Sequence, residues 1–160
     1  MTVSDGTIGV LFVCMGNICR SPLAEGLFLA RAAQRGVAHR FEVDSAGTGA
    51  WHVGEQPDAR VREVAARHNI ILAGRARQVS RDDFDRFDHI ICMDEDNRDR
   101  LARRGAPESN LRLLLEFDPT AGTREVPDPY FGGSQGFEII YELIDSACRA
   151  LLESLLADRP

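Results

Sequence analysis

Lysine is missing from this chain: all 19 of its basic residues are arginine, set against 25 acidic residues for a net charge of −6. A surface of that balance repels nucleic acid and anionic membranes as a whole, so any positive potential must be local. No apolar run is long enough to cross a bilayer, and the N-terminus lacks a charged segment followed by an apolar secretory core. A cytoplasmic protein without membrane insertion is therefore expected. Internal repeats, linkers and low-complexity stretches are also lacking. The four cysteines, Cys14, Cys19, Cys92 and Cys148, are irregularly spaced and fit neither a disulfide framework nor a familiar zinc pattern. His39, His52, His68 and His89 show no metal-ligand spacing either, and no metal or cofactor is expected. What remains is 160 residues, 44% of them hydrophobic, enough for a single domain over 1–160 with a substantial core.

The chemistry is concentrated near the start. Val10-Leu11-Phe12-Val13 reads as a buried strand, while Ser21 and Pro22 suit the cap and first position of a helix. Between them the chain reads Cys14-Met15-Gly16-Asn17-Ile18-Cys19-Arg20, a loop at a helix N-terminus. Consecutive backbone N–H groups there can point inward and hold an anion, helped by the helix dipole. Gly16 supplies the backbone freedom of so tight a ring. Met15, Gly16, Asn17, Ile18, Cys19 and Ser21 are thus expected to form a phosphate-binding loop.

A thiol in that ring changes what the loop can do. Positive surroundings at a helix N-terminus pull a cysteine below its usual pKa of ~8.5, which makes Cys14 the expected nucleophile. Arg20 offers a planar fork of donors that matches two phosphate oxygens and stays charged at any working pH. Ser21 is expected to donate a hydrogen bond to the thiolate, and Asn17 to brace the loop from inside. Alone, a cysteine ending a buried strand is usually a small apolar residue. The joint occurrence of strand, Cys-x5-Arg-Ser-Pro and helix points instead to catalysis. Cys19 reads either as a redox partner of Cys14 or as a packing residue, and Cys92 and Cys148 read as core.

With these residues the chain resembles the low-molecular-weight protein tyrosine phosphatase family, from about Ile8 to the final helix. The likeness extends to Asp44-Ser45-Ala46-Gly47-Thr48, Ala76-Arg77-Gln78-Val79, Cys92-Met93-Asp94 with Asn97, and Asp128-Pro129-Tyr130. The resemblance implies Cys14 as nucleophile, Arg20 as phosphate clamp and Asp128 as general acid. It implies Asn17, Ser21 and Ser45 as loop supports, and Trp51 and Tyr130 as walls of a substrate cleft. Two departures stand out. Phe131 follows Tyr130 where many members carry a second tyrosine, so that position cannot be phosphorylated. Ala73-Gly74-Arg75 replaces a run in which the family often has a histidine bracing the phosphate loop, so the support network must differ.

Asp128 also has a physical rationale. Ester cleavage expels an alkoxide or phenoxide, and a placed carboxylic acid that protonates it is worth about 10²- to 10⁴-fold. The resulting carboxylate can then activate water against a phosphocysteine. Pro127 and Pro129 restrict the backbone on both sides.

Strands are expected at Ile8 to Val13, Phe41 to Ser45, His89 to Met93 and Leu111 to Leu115, and helices at Pro22 to Arg35, Asp58 to His68, Asp94 to Arg104 and Phe137 to Leu156, with a shorter one near Ser80 to Phe84. This alternation predicts an α/β fold: a four-stranded parallel sheet with helices on both faces and the phosphate loop after the first strand. A ligand site then lies beyond the carboxyl ends of the strands, where Cys14, Ser45, Asp94 and the Asp128 loop would gather. Trp51, in the irregular loop from Gly47 to Pro57, is a candidate lip, and Phe131 is expected to join Trp51 and Tyr130 in the substrate cleft. The main expectation is a phosphatase that hydrolyses phosphotyrosine or small aryl phosphates and releases inorganic phosphate, with a monomer as the simplest state. A thiol-dependent arsenate reductase of the same fold is the alternative. That related family relays electrons through two further cysteines close together after the third strand, and Cys92 has no near neighbour in the sequence.

Overall fold

The computed structural model describes residues 6–129 and 134–158. Its first strand, β1 (Ile8–Cys14), is buried along its whole length, as a central strand covered on both faces must be. Helix α1 (Arg20–Gln34) returns the chain to β2 (Phe41–Gly47) on one side of β1. Helices α2 (Ala59–Arg67) and α3 (Arg81–Arg86) then carry it across to β3 (His89–Cys92) on the other side, and α4 (Glu95–Arg103) leads to the edge strand β4 (Leu111–Leu113). The closing helix is α5 (Ser134–Asp158). All pairings are parallel and the order is β2-β1-β3-β4, as the alternation of strand and helix predicts.

The two-residue period of β1 divides the interior in two. Ile8, Val10, Phe12 and Cys14 join one core with Leu23, Leu27 and Phe28 of α1 and the apolar stripe of α5. Leu11 and Val13 join the other, with Phe84 of α3 and Leu101 of α4. The ring of Phe28 bridges β1 and β2, 5.8 Å from Phe12 and 5.0 Å edge-on from Phe41, an arrangement favoured by the aromatic quadrupole.

Helix ends follow local chemistry. Gly36 stops α1 at φ 71°, and the N–H groups of Gly36 and Val37 close on the carbonyls of Ala33 and Ala32, the pattern of a left-handed C-terminal stop. Asp58 and Asp94 cap α2 and α4 from just outside rather than forming their first residues. Ser80 caps α3 in a reciprocal pair with Asp83. Most of the expected boundaries shift by one to three residues, and three of these shifts have a visible local setting. β2 runs on to Gly47, because Cys14 and Gly47 are register partners. β4 ends at Leu113, where a 3₁₀ turn (Leu114–Phe117) begins. α1 begins at Arg20, and Ser21 lies inside it without capping it.

The chain leaves β1 for β2 on one side and then crosses from β2 to β3 on the other, so the carboxyl ends of β1 and β3 flank the reversal point of the topology. An open α/β sheet forms its ligand crevice at such a point. Cys14 is the last residue of β1, and Asp94 lies two residues beyond the end of β3.

Candidate active site

Residues 15–19 curl from the end of β1 into the first turn of α1. Their carbonyls turn outward: Thr48 N–H donates to Cys14 O (2.9 Å), Gly49 N–H to Met15 O (3.0 Å) and Asp58 N–H to Ile18 O (2.8 Å). Each peptide plane carries its N–H opposite its C=O, so the amides are directed toward the centre of the ring. There, Asn17 N–H lies 3.3 Å from Cys14 Sγ. Gly47 presses against the outside of the ring, where a Cβ would sit 2.7 Å from Met15 O. Only glycine lets β2 approach this closely.

Asn17 holds the ring from within. It is 3% exposed and adopts φ 59°, a left-handed conformation that a short amide side chain tolerates better than most. Its Oδ1 accepts from Arg77 N–H (2.9 Å), and its Nδ2 donates to Ser21 Oγ (2.8 Å) and Ser45 Oγ (3.0 Å). Both amide hydrogens being spent on hydroxyl oxygens, each serine is left to donate onward. Ser45 donates to Glu25 Oε1 (2.7 Å), and Ser21 faces Cys14 Sγ at 3.0 Å. A directed chain of donors thus ends on the sulfur.

Arg20 is 3% exposed, and the environment supplies what a buried guanidinium requires. Its Nη1 donates to Asp94 Oδ2 (2.8 Å) and to Val126 O (3.0 Å). Burial works against its charge, but Cys14, Asp94 and Asp128 more than offset this and hold its pKa above the usual value. Asp94 does two tasks, because its other oxygen caps α4 by accepting from Asn97 N–H (2.8 Å). With Nη1 engaged, the Nε–Nη2 edge remains for an anion. Asp128 Oδ2 lies 3.8 Å from Nη2, on a segment fastened by Val126 N–H to Met93 O (2.9 Å).

Cys14, Met15, Gly16, Ile18, Cys19, Arg20, Trp51, His52 and Asp128 line one cleft of about 380 Å³. Cys14 is at its floor and Trp51, 68% exposed, at its lip. A wider groove of about 670 Å³ between α2 and residues 70–75 carries no nucleophile. Burial, then the carboxylate of Asp58 and Cys14, push the Cys19 thiol up to about 12. Burial likewise pushes Cys92 and Cys148 up. Tyr130 and Phe131 lie outside the described residues. No group of three or more His, Cys, Asp or Glu among the described residues could hold a metal ion.

Three supports escape the sequence reading. Glu25 fixes Ser45, and burial pushes its carboxyl up to about 7 against the opposing Ser45 hydrogen bond. Arg77 holds Asn17 through its backbone while its side chain ties Asp44 to Asp83. The Val126 carbonyl orients Arg20. A polar residue one helical turn after Ser21, on a helix whose neighbours Leu23, Ala24 and Leu27 are buried, is the one signal that pointed to Glu25. Gly74 adopts φ 94°, next to a hollow of about 60 Å³ that Asn17, Glu25 and Ser45 also line. The network therefore closes around Asn17 with no side chain at 74.

The family model for low molecular weight phosphotyrosine protein phosphatase matches residues 9–160. A low molecular weight protein-tyrosine-phosphatase of Streptomyces coelicolor is 44% identical over 155 residues, covering 93% of this chain and 94% of the relative. The crystal structure of YfkJ from Bacillus subtilis superposes with a TM-score of 0.93 at 39% identity, over 99% of this chain and all of that one. The structure of DARP, a Drosophila arginine phosphatase, superposes with a TM-score of 0.84 at 33% identity, over 91% of this chain and 96% of that one.

Proposed function

This chain belongs to the low molecular weight phosphotyrosine protein phosphatase family, and we propose that its own residues divide the hydrolysis of phosphotyrosine and aryl phosphate monoesters as follows. The ester's phosphoryl oxygens enter the ring of loop amides and meet the Nε–Nη2 edge of Arg20. The Cys14 thiolate attacks phosphorus while the bond to the aryl oxygen breaks, and Asp128, protonated, gives its proton to the departing oxygen. The phosphoryl group is then on sulfur. Water attacks phosphorus from the vacated side, the Asp128 carboxylate takes the water's proton, and the S–P bond breaks to release inorganic phosphate and regenerate the thiolate.

One observation carries this reading: the sulfur that receives the Asn17 N–H and Ser21 contacts lies in the same cleft as a guanidinium fixed by Asp94 and a carboxylate 3.8 Å from that guanidinium. Each step needs only groups the chain supplies, and no metal or cofactor enters it. The arsenate-reductase alternative loses its support, because Cys92 and Cys148 are fully buried and their thiols are pushed up, which leaves no accessible relay. The exposed indole of Trp51 over the cleft favours a flat aromatic ester. The Drosophila relative makes phosphoarginine the comparison substrate. Rapid acid quench of an aryl phosphate reaction, followed by peptide mapping, should find phosphate on Cys14. Its appearance on another residue, or a faster turnover of phosphoarginine than of phosphotyrosine peptides, overturns the assignment.

The same reading makes the protein a cytoplasmic monomer that binds no nucleic acid, a place suited to its free thiols and net charge of −6. It also assigns Cys19 as the resolving partner of Cys14. Held protonated by burial, Cys19 is spared by peroxide, which attacks the thiolate first. The sulfenic acid formed at Cys14 then condenses with the Cys19 thiol, releasing water and forming a disulfide that dithiothreitol reduces. Peroxide treatment of the wild type and Cys19→Ser, followed by reduction, should restore far more activity to the wild type. Equal recovery reduces Cys19 to a packing residue.

A further inference from the structure

The lip of the cleft poses a problem that the floor does not. Trp51 is 68% exposed, so little packing holds its indole over the cleft, and a large ring on a surface loop would ordinarily sample many rotamers. Its seat is Gly49. A methyl built on Gly49 would fall onto the six-membered ring of Trp51, against Cζ3, Cε3 and Cη2, far inside van der Waals contact. The indole occupies the space that a side chain at that position would fill.

That backbone cannot yield. Gly49 N–H donates to Met15 O (3.0 Å) and Thr48 N–H to Cys14 O (2.9 Å), so the peptide beneath the indole is fastened to the phosphate loop. The far side of the Trp51 turn is fastened as well, with Gly54 N–H donating to Ala76 O (2.9 Å) and Ala76 N–H to Glu55 O (2.8 Å). Gly49 does not have the positive φ of Gly54 or Gly74, so alanine meets no backbone strain there. The three heavy atoms nearest to a methyl at 49 all belong to the indole, so the indole is the first group such a methyl displaces.

We propose that Gly49 is a positioning residue for substrate selection, its missing side chain forming the seat that holds the Trp51 indole at the cleft's lip and sets the opening for an aromatic leaving group. This deepens the phosphatase reading and rests on it. The loop amides and Arg20 face the phosphoryl group, whereas the lip faces the part of the substrate that leaves. Gly49 therefore acts on recognition of the aryl group and leaves anion binding alone.

Trp51 is the single tryptophan of the chain, so intrinsic fluorescence reports the seat without reference to catalysis. Gly49→Ala, Trp51→Ala and the double variant are compared by KM for an aryl phosphate, by competitive inhibition with inorganic phosphate and, where the indole remains, by fluorescence anisotropy. Gly49→Ala should lower the anisotropy and raise KM between about two- and tenfold, the scale of one aromatic contact, with phosphate inhibition within twofold of wild type. In the Trp51→Ala background the same change should add nothing. Unchanged anisotropy shows that Gly49 is not the seat, and a further rise of KM in the double variant shows that it acts by another route. Weakened phosphate inhibition shows that the loop itself has moved; any of the three overturns the proposal. Should the wild type fail to hydrolyse aryl phosphates, the phosphatase reading falls while anisotropy still decides the seat.

Discussion

At the floor of the cleft and directly behind it, Cys14, Asn17, Arg20 and Ser21 are each at most 3% exposed: Asn17 is bonded to Ser45 of β2, Arg20 to Asp94 and Val126, and Cys14 and Ser21 to each other and to Asn17. At its lip, Met15 and Trp51 are 40% and 68% exposed, and the indole rests on a glycine. The floor is over-determined, and so it can maintain what is locally unfavourable: a left-handed asparagine, a buried guanidinium and a thiol surrounded by donors. The lip is under-determined. A side chain there can change with little effect on the floor, which is how one phosphate-transfer machine can be adapted to different leaving groups.

The comparison breaks most visibly at the sulfur. Cys14→Ser should lower turnover by about four orders of magnitude or more, as loss of a nucleophile does in other covalent enzymes. Binding of inorganic phosphate, measured by calorimetry, should survive, because amides and Arg20 provide the anion contacts. Substantial steady-state activity in Cys14→Ser removes the nucleophile from the floor.

Asp128 stands between the two regions, with a side chain about one-third exposed (34%). Asp128→Ala should slow phosphotyrosine by about 10²- to 10⁴-fold and an activated aryl phosphate far less, since an acidic phenol leaves without help. A plot of log rate against leaving-group pKa should therefore steepen. A uniform loss across the series makes Asp128 structural.

Glu25 supports the floor from behind, at a cost. Its carboxyl is raised from 4.5 to about 7, burial being the main cause, so the folded state holds the proton more tightly than the unfolded one. Stability from this group is complete below about pH 4.5 and is lost as pH rises through about 7. The loss amounts to at most about 3 kcal/mol. Denaturant titrations should show the stability of wild type relative to Glu25→Gln falling between pH 5 and 8. A pH-independent difference would place the carboxyl in ordinary solvent.

Legibility follows sequence separation. β1, the loop and α1 are contiguous, and the strand period, the spacing from Cys14 to Arg20 and the Gly36 stop all express local rules. The supports are tertiary: Glu25 meets Ser45 across 20 residues, Asn17 meets Arg77 across 60, and Arg20 meets Val126 across 106. Apart from the polar position of Glu25 among buried neighbours on α1, no local pattern encodes them. Ser21 demonstrates how a local rule is overridden: the sequence favours a helix cap, but its hydroxyl lies between Asn17 and Cys14, and α1 starts two residues earlier than expected, at Arg20. Asp94, by contrast, satisfies both demands with its two oxygens. The seat at Gly49 depends on where a side chain two residues later folds back, which composition does not reveal.

The division between floor and lip is tested most directly by one paired measurement: kcat and KM for an aryl phosphate together with the inhibition constant of inorganic phosphate, in Asn17→Ala and Trp51→Ala. Asn17→Ala loses the three side-chain hydrogen bonds that hold the ring and should lower kcat and weaken phosphate inhibition together, each by about tenfold or more. Trp51→Ala should raise KM by about two- to tenfold and leave phosphate inhibition as in the wild type. If Trp51→Ala weakens inorganic phosphate as much as the aryl ester, or Asn17→Ala retains the kcat and phosphate affinity of the wild type, floor and lip are not separate parts and the account is contradicted.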